Sequence, residues 1–319
     1  MVLNHSTNPG VEADHSTRAL EINEVTKVYG RRAVVDKVSF VVERGEIFGL
    51  VGPNGSGKTT TIRMALDIIR PDSGRLSLLG GLPTRDALMR IGYLPEERGL
   101  YRKERVLDIL RYFGRLKGLA ATTAEARAEQ MLTRVGLHEH RFSKVEALSR
   151  GMSQLVQFAG ALVHEPDLII LDEPFSGLDP LNMQLIKEII REQQQRGAAV
   201  IFSTHIMPDV EELCERVLLI SDGTVLLYGR LDELKRSRGA RSVRVVAERQ
   251  PDGITTEGLQ AERRNGHFEY LLSKGVEPNA VLRSFLDAGI SIERFEVALP
   301  TLSEIFVEEV SHARDSKRN

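Results

Sequence analysis

The chain is short of the features that would tie it to the cell exterior, a bilayer interior or nucleic acid. One cysteine, Cys214, in 319 residues excludes an internal disulfide framework and suits a reducing cytosol. It stands in the polar run Glu211-Glu212-Leu213-Cys214-Glu215-Arg216, where an unreactive thiol on a helix is expected rather than a catalytic one. No run approaches the ~18 to 20 consecutive apolar residues of a membrane span. The first residues carry no apolar core of a secretory signal, and residues 1–18, rich in His, Ser, Thr and Asn, are expected to form a flexible leader. Net charge is lacking too. With 43 Lys and Arg against 45 Asp and Glu, no global field draws the chain to nucleic acid or an anionic surface. There is no repeat of solenoid type. What is present, 41% hydrophobic and 28% charged residues, is ordinary globular composition, long enough for one substantial domain and a smaller one.

The pattern along the chain is α/β. Leu20 to Val25 alternates strictly and Ala33 to Val42 is valine-rich, so both read as strands. A short apolar run, Ile47 to Val51, leads into a glycine-rich turn, and a helix is expected from Lys58 to Ile69, before Pro71. Helical spacing dominates from Val106 to Leu162. Buried strands are expected at Leu168–Leu171 and Ala199–Ser203, with a polar-faced helix, Asn182–Arg196, between them. Strands alternating with helices argue for a largely parallel sheet covered on both faces. Asp222-Gly223 between two apolar runs predicts a hairpin. Composition turns basic after Arg230, with a linker expected near Ser237–Ala240, a small mixed α/β domain over 241–310 and a polar tail over 311–319.

Two stretches carry chemistry. Gly52-Pro53-Asn54-Gly55-Ser56-Gly57-Lys58-Thr59 has glycine, four residues, then Gly-Lys-Thr, between an expected buried strand and an expected helix. Glycines let successive backbone N–H groups curl inward as an anion nest, and the helix adds its positive end. Lys58 can then reach the β- and γ-phosphates and the Thr59 hydroxyl can ligate Mg²⁺, with Thr60 beside them, so this loop binds a nucleoside triphosphate. The second stretch is the apolar strand Leu168-Ile169-Ile170-Leu171 ending in Asp172-Glu173. Consecutive residues at a strand end project differently. Asp172 can therefore hold Mg²⁺ through water while Glu173 faces the attacking water as general base, a role worth ~10²- to 10⁴-fold in rate.

Between and around these stretches the sequence resembles the ABC ATPases. Leu148-Ser149-Arg150-Gly151-Met152 is similar to that family's signature sequence, and Phe175-Ser176-Gly177-Leu178-Asp179-Pro180 to its D-loop. Ser203-Thr204-His205 matches the switch histidine, and Tyr29 in Val28-Tyr29-Gly30 the aromatic residue on which adenine stacks. The resemblance covers about Leu20 to Arg230 and implies a RecA-like P-loop NTPase core over 19–236, with an antiparallel β-subdomain and a helical signature subdomain at about 100–162. It implies ATP and Mg²⁺ as ligands, and catalytic roles for Glu173, His205 and Lys58. It also implies two such domains packed head to tail, Ser149 and Gly151 touching the γ-phosphate held by the other copy and Asp179 reaching across. The chain has one set of motifs, so the second set comes from another copy or a homologous subunit.

Two positions depart from the family pattern. Glu96, in Ile91-Gly92-Tyr93-Leu94-Pro95-Glu96, stands where the family usually has Gln. An ionised carboxylate accepts hydrogen bonds and can approach Mg²⁺, and it cannot donate. Arg150 stands where glycine is common and is expected to face solvent. Gly92 to Tyr101 and the ending Leu299 to Phe306 resemble ATPases of the ABC-2-type export group, including its sodium-efflux-like branch. The resemblance implies a separate transmembrane permease as partner, a place on the cytoplasmic face of the cell membrane, and no nucleic-acid partner. A soluble ABC ATPase acting on ribosomes or DNA, and a non-catalytic ATP-binding subunit, are the alternative readings.

Overall fold

The computed structural model describes residues 17–97, 99–240, 242–249, 259–264, 267–272 and 277–318. Residues 1–16 of the expected leader lie outside them, and Arg18 already opens a strand.

β1 (Arg18–Tyr29) and β2 (Arg32–Glu43) pair antiparallel, and β3 (Ile47–Val51) runs into the phosphate loop and α1 (Lys58–Ala65). β4 (Ser73–Leu78) returns antiparallel to β1, closing a three-stranded sheet of order β2-β1-β4. After α2 (Arg85–Met89) and β5 (Ile91–Leu94) come three helices, α3 (Val106–Leu116), α4 (Ala121–Arg134) and α5 (Arg150–Leu162). β6 (Leu168–Asp172), α6 (Pro180–Gln195), β7 (Ala199–Thr204), α7 (Met207–Leu213), β8 (Arg216–Ser221) and β9 (Thr224–Arg230) follow. Together they build a six-stranded sheet, β5-β6-β7-β3-β8-β9, parallel from β5 to β8.

The apolar runs explain this order. Every residue of β3, β6 and β7 is buried, as strands covered on both faces require. On one face, Phe48 and Leu50 of β3 join Ile62 and Met64 of α1 and Ile22, Val38 and Phe40 of the smaller sheet in one core. Burying such side chains contributes about 1.5–3 kcal/mol each. α6 and α7 lie against β7 and β3. The strands between helices therefore all end at one edge, which is where the candidate chemistry collects.

Three local outcomes differ from expectation. α1 stops at Ala65 because Asp67 takes a left-handed conformation (φ 53), and Ile68 N–H bonds Arg63 O while Asp67 N–H bonds Met64 O. These bonds close the helix as a Schellman cap, four residues before the expected end. The chain divides into two compact units between Tyr228 and Gly229, so α8 (Leu231–Ser237) groups with the second unit. And the helix α10 (Leu302–Arg318) runs through most of the stretch expected to be a polar tail.

The second unit holds β10 (Ser242–Ala247), β11 (Leu259–Arg264), β12 (His267–Leu272), α9 (Pro278–Asp287) and β13 (Ile292–Ala298) besides α8 and α10. Its antiparallel sheet, β11-β12-β10-β13, packs Val243, Val245, Phe268 and Tyr270 against Val281 and Phe285 of α9. Tyr270 and Phe285 meet edge to face at 5.8 Å.

Candidate functional site

The C-terminal edge of the parallel sheet carries a cavity of about 290 Å³, lined by Val34, Asn54, Gly55, Gly57, Lys58, Thr59, Thr60, Glu96, Asp172 and Glu173. Nine of the expected nucleotide, metal or catalytic residues, Asn54 among them, thus meet in one place, together with a residue that sequence reasoning passed over, Val34 of β2.

The phosphate loop is held by its own carbonyls and by neighbours. Lys58 is buried, and its ammonium donates to Gly52 O at 2.7 Å and Pro53 O at 3.1 Å. Burial pushes its pKa down, against the charges of Glu173, Asp172 and Glu96. Ser56 N–H returns to Pro53 O, while Ser56 Oγ is buried without a partner. Gly57, at φ 109, opens α1, and a Cβ there would sit 2.6 Å from Val34 O. From the far side the Asp222-Gly223 hairpin turn, both residues at positive φ, braces the loop: Gly223 N–H donates to Ser56 O at 2.9 Å and Gly223 O accepts from Asp36 N–H at 2.8 Å. A Cβ on Gly223 would also fall 2.6 Å from Val34 O.

The carboxylates are fixed by β7. Parallel register sets Asp172 beside Ser203, whose hydroxyl donates to Asp172 Oδ1, and Thr59 donates to Asp172 Oδ2 at 2.9 Å. Glu173 adopts a left-handed backbone (φ 49), a conformation costing a non-glycine residue about 1–3 kcal/mol. Its carboxylate is bonded to Thr204 Oγ1 at 3.2 Å and to His205 Nδ1 at 2.8 Å. Ser203 and Thr204 are holders that the sequence reading missed. Their signal was two hydroxyls ending a strand that is otherwise wholly apolar.

The other expected residues lie outside this cavity. Ser149 is exposed and caps α5 by accepting from Met152 N–H at 3.2 Å. Asp179 is exposed and caps α6, accepting from Asn182 N–H at 3.0 Å, with Pro180 at the first helical position; these bonds hold its pKa below the usual value. Gly151 abuts the Gly177–Leu178 segment, so signature and D-loop form a second cluster. Arg150 is exposed, as expected. Tyr29 projects half-exposed from the end of β1 with the Lys27 ammonium 5.6 Å from its ring centre. Cys214 is buried at the end of α7, and burial pushes its thiol well above the ordinary range, which suits an inert residue.

A family model described as "ABC transporter" matches residues 35–176, and one described as "ATP-binding protein DrrA1-3-like, C-terminal domain" matches residues 229–310. An uncharacterized ABC transporter ATP-binding protein, YhaQ of Bacillus subtilis, is 37% identical over 91% of this chain and 98% of its own length. The chain belongs to the ABC transporter ATP-binding proteins. This ABC ATPase is also 37% identical to the Nod factor export ATP-binding protein I of Ralstonia nicotianae, over 84% of the chain and 86% of that protein. A solved ATP-binding subunit of an ABC transporter superposes with a TM-score of 0.65 at 33% identity, covering 69% of this chain and 93% of that one. The fold is thus the RecA-like P-loop NTPase core with its added subdomains, and the chain binds and hydrolyses ATP.

The donor set suits a magnesium ion that arrives with the nucleotide. Among the described residues no three His, Cys, Asp or Glu side chains gather to hold a metal alone. A hydroxyl on a carboxylate, Thr59 on Asp172, is the sparse oxygen set with which Mg²⁺ sites lean on phosphates and water.

Proposed function

We propose that this ABC ATPase is the energy-supplying subunit of an ABC-2-type exporter, working as a pair on the cytoplasmic face of the cell membrane beside a separate permease. The observation that carries the reading is the division of the site. Lys58, Thr59, Asp172 and Glu173 line one cavity, while Ser149, Gly151 and Asp179 stand outside it around the exposed starts of two helices. One copy therefore offers half of each site, and ATP bound between two copies is contacted from both. Binding then favours the closed pair by its extra contacts, and hydrolysis removes them.

Within the cavity each residue has a task. The loop N–H groups and Lys58 take the β- and γ-phosphates, and Tyr29 offers a face to the base. Thr59 and Asp172 would hold Mg²⁺, with Glu96 near it, and the ion when bound neutralises phosphate charge. Glu173 accepts a proton from water as its oxygen attacks the γ-phosphorus and the bond to the leaving ADP oxygen breaks. His205, bonded to Glu173, keeps that carboxylate aimed. Export is supported by relatives named for Nod factor export and linearmycin resistance. A separate permease is supported by the described residues, which hold no helix long and apolar enough to cross a membrane.

The test is a pull-down of the tagged chain from its native membranes in mild detergent. Recovery of a multi-span membrane protein is expected. Recovery of ribosomal or DNA-bound proteins in its place would overturn the exporter reading and leave the ATPase intact.

A further inference from the structure

We propose that Lys187 is a positioning residue for ATP hydrolysis, clamping α7 to α6 so that His205 stays against Glu173. The proposal rests on the roles given above to Glu173 and His205.

Lysine is rarely buried without a partner, and Lys187 on α6 is buried. Its ammonium bonds two carboxylates of α7, Asp209 at 2.8 Å and Glu212 at 2.6 Å. One turn along α6, Arg191 joins Glu212 at 2.9 Å. The same ammonium lies 5.5 Å from the ring centre of Phe175, two residues beyond Glu173, and that ring meets Phe202 of β7 edge to face. The two routes out of Lys187 both return to Glu173. One passes through Phe175 along the chain. The other passes through α7 to His205, whose Nδ1 is 2.8 Å from Glu173 Oε1.

Apolar packing seats α7 through Met207, Val210 and Leu213, but the link from α7 to His205 is lightly held, and the brace acts there. α7 has seven residues, Pro208 in its first turn and no side-chain cap, so it is far too short to persist alone. The His205 side chain is 52% exposed, so packing does not fix it. The backbone joining them is tied once, by Ile206 N–H to Thr204 Oγ1 at 3.0 Å. Lys187 does not line the phosphate cavity, so its effect should fall on the chemical step and spare nucleotide binding.

In the purified full chain, Lys187→Met should lower kcat by roughly 30- to 100-fold, the scale of an ångström-sized misplacement, with KM for ATP changed less than about twofold. Lys187→Arg should recover most of the loss. In a His205→Ala background, Lys187→Met should cost less than about threefold more, since the group it positions is gone. A full-sized loss in that background, KM rising in step, or unchanged kcat overturns the proposal. Hydrogen exchange supplies a readout independent of turnover, and Asp209→Asn serves if Lys187→Met does not fold. Amides of residues 205–213 should exchange at least about tenfold faster while those of 52–60 keep their protection, and equal exchange in 205–213 overturns the clamp. Wild-type turnover in Glu173→Gln would instead overturn the assignment of the base, with the exchange result still judging the clamp.

Discussion

The phosphate half of the site and the signature half are built on opposite plans. In the first, the carboxylates and the loop are tied across long sequence distance: Thr59 to Asp172, 113 residues away, Glu173 to His205, and the loop to the 222–223 hairpin. In the second, Ser149 and Asp179 are satisfied within their own helix starts and otherwise face outward. A rigid receptor and a presented surface are what a site shared between two copies needs. The receptor must hold strained geometry, such as the left-handed Glu173. The surface must be ordered without being covered.

The largest expected effect concerns the receptor half. Glu173→Gln keeps size and one acceptor oxygen yet cannot take up a proton, so turnover should fall by ~10²- to 10⁴-fold with ATP binding kept. Phosphate release and nucleotide binding measured on one preparation check this. Next comes the division itself. Lys58→Ala and Gly151→Asp should each lower turnover by about 10²-fold. Mixed in equal amounts, the two should recover to within about tenfold of wild type, because mixed pairs contain one intact site. Recovery no greater than the sum of the separate rates would place both halves in one copy.

A third prediction concerns the joint between the halves. α5 is capped by Ser149, and just past its other end the His164 ring bonds Ile91 O of β5 at 3.1 Å. Burial, helped by the Lys117 charge, lowers the His164 pKa to about 4. Between pH 4 and 6.5 the unfolded chain therefore binds more protons here than the folded one, so this contribution to stability is full above pH 6.5 and is lost as pH falls through 4. It amounts to about 3 kcal/mol. Urea unfolding at pH 7.5 and 4.5 should show a smaller acid loss in His164→Gln than in wild type, and equal losses would remove His164 from the account. The smallest effect is at Glu96. Glu96→Gln should weaken the dependence of turnover on Mg²⁺ several-fold, because a neutral amide draws a cation less than a carboxylate does. Magnesium titrations of both proteins compare them directly.

The receptor half was legible in the sequence because its key residues come in short strings whose spacing encodes strand, turn and helix: Gly52 to Thr59 and Leu168 to Glu173 are local signals. The parallel sheet was legible for the same reason, since β3, β6 and β7 are continuous apolar runs. What escaped was pairing set by the fold. Ser203 serves Asp172 only because β6 and β7 lie in parallel register, and Lys187 reaches Asp209 only because α6 and α7 pack together. The early end of α1 escaped as well, since an aspartate at position 67 gives weaker notice of a left-handed cap than glycine would. The polar run 311–318 reads as tail, yet it continues the helix begun by the buried Leu302 and Ile305.

The Asp222–Gly223 turn has a practical consequence for anyone who modifies this protein. Surface hairpin tips are favoured places to insert an epitope, attach a fluorophore or split a chain, and by sequence this tip looks ideal. Here its backbone holds both Ser56 and Asp36, and its glycine leaves no room against Val34. An insertion at this tip would loosen the nucleotide cradle from behind, and the label would report on a weakened enzyme.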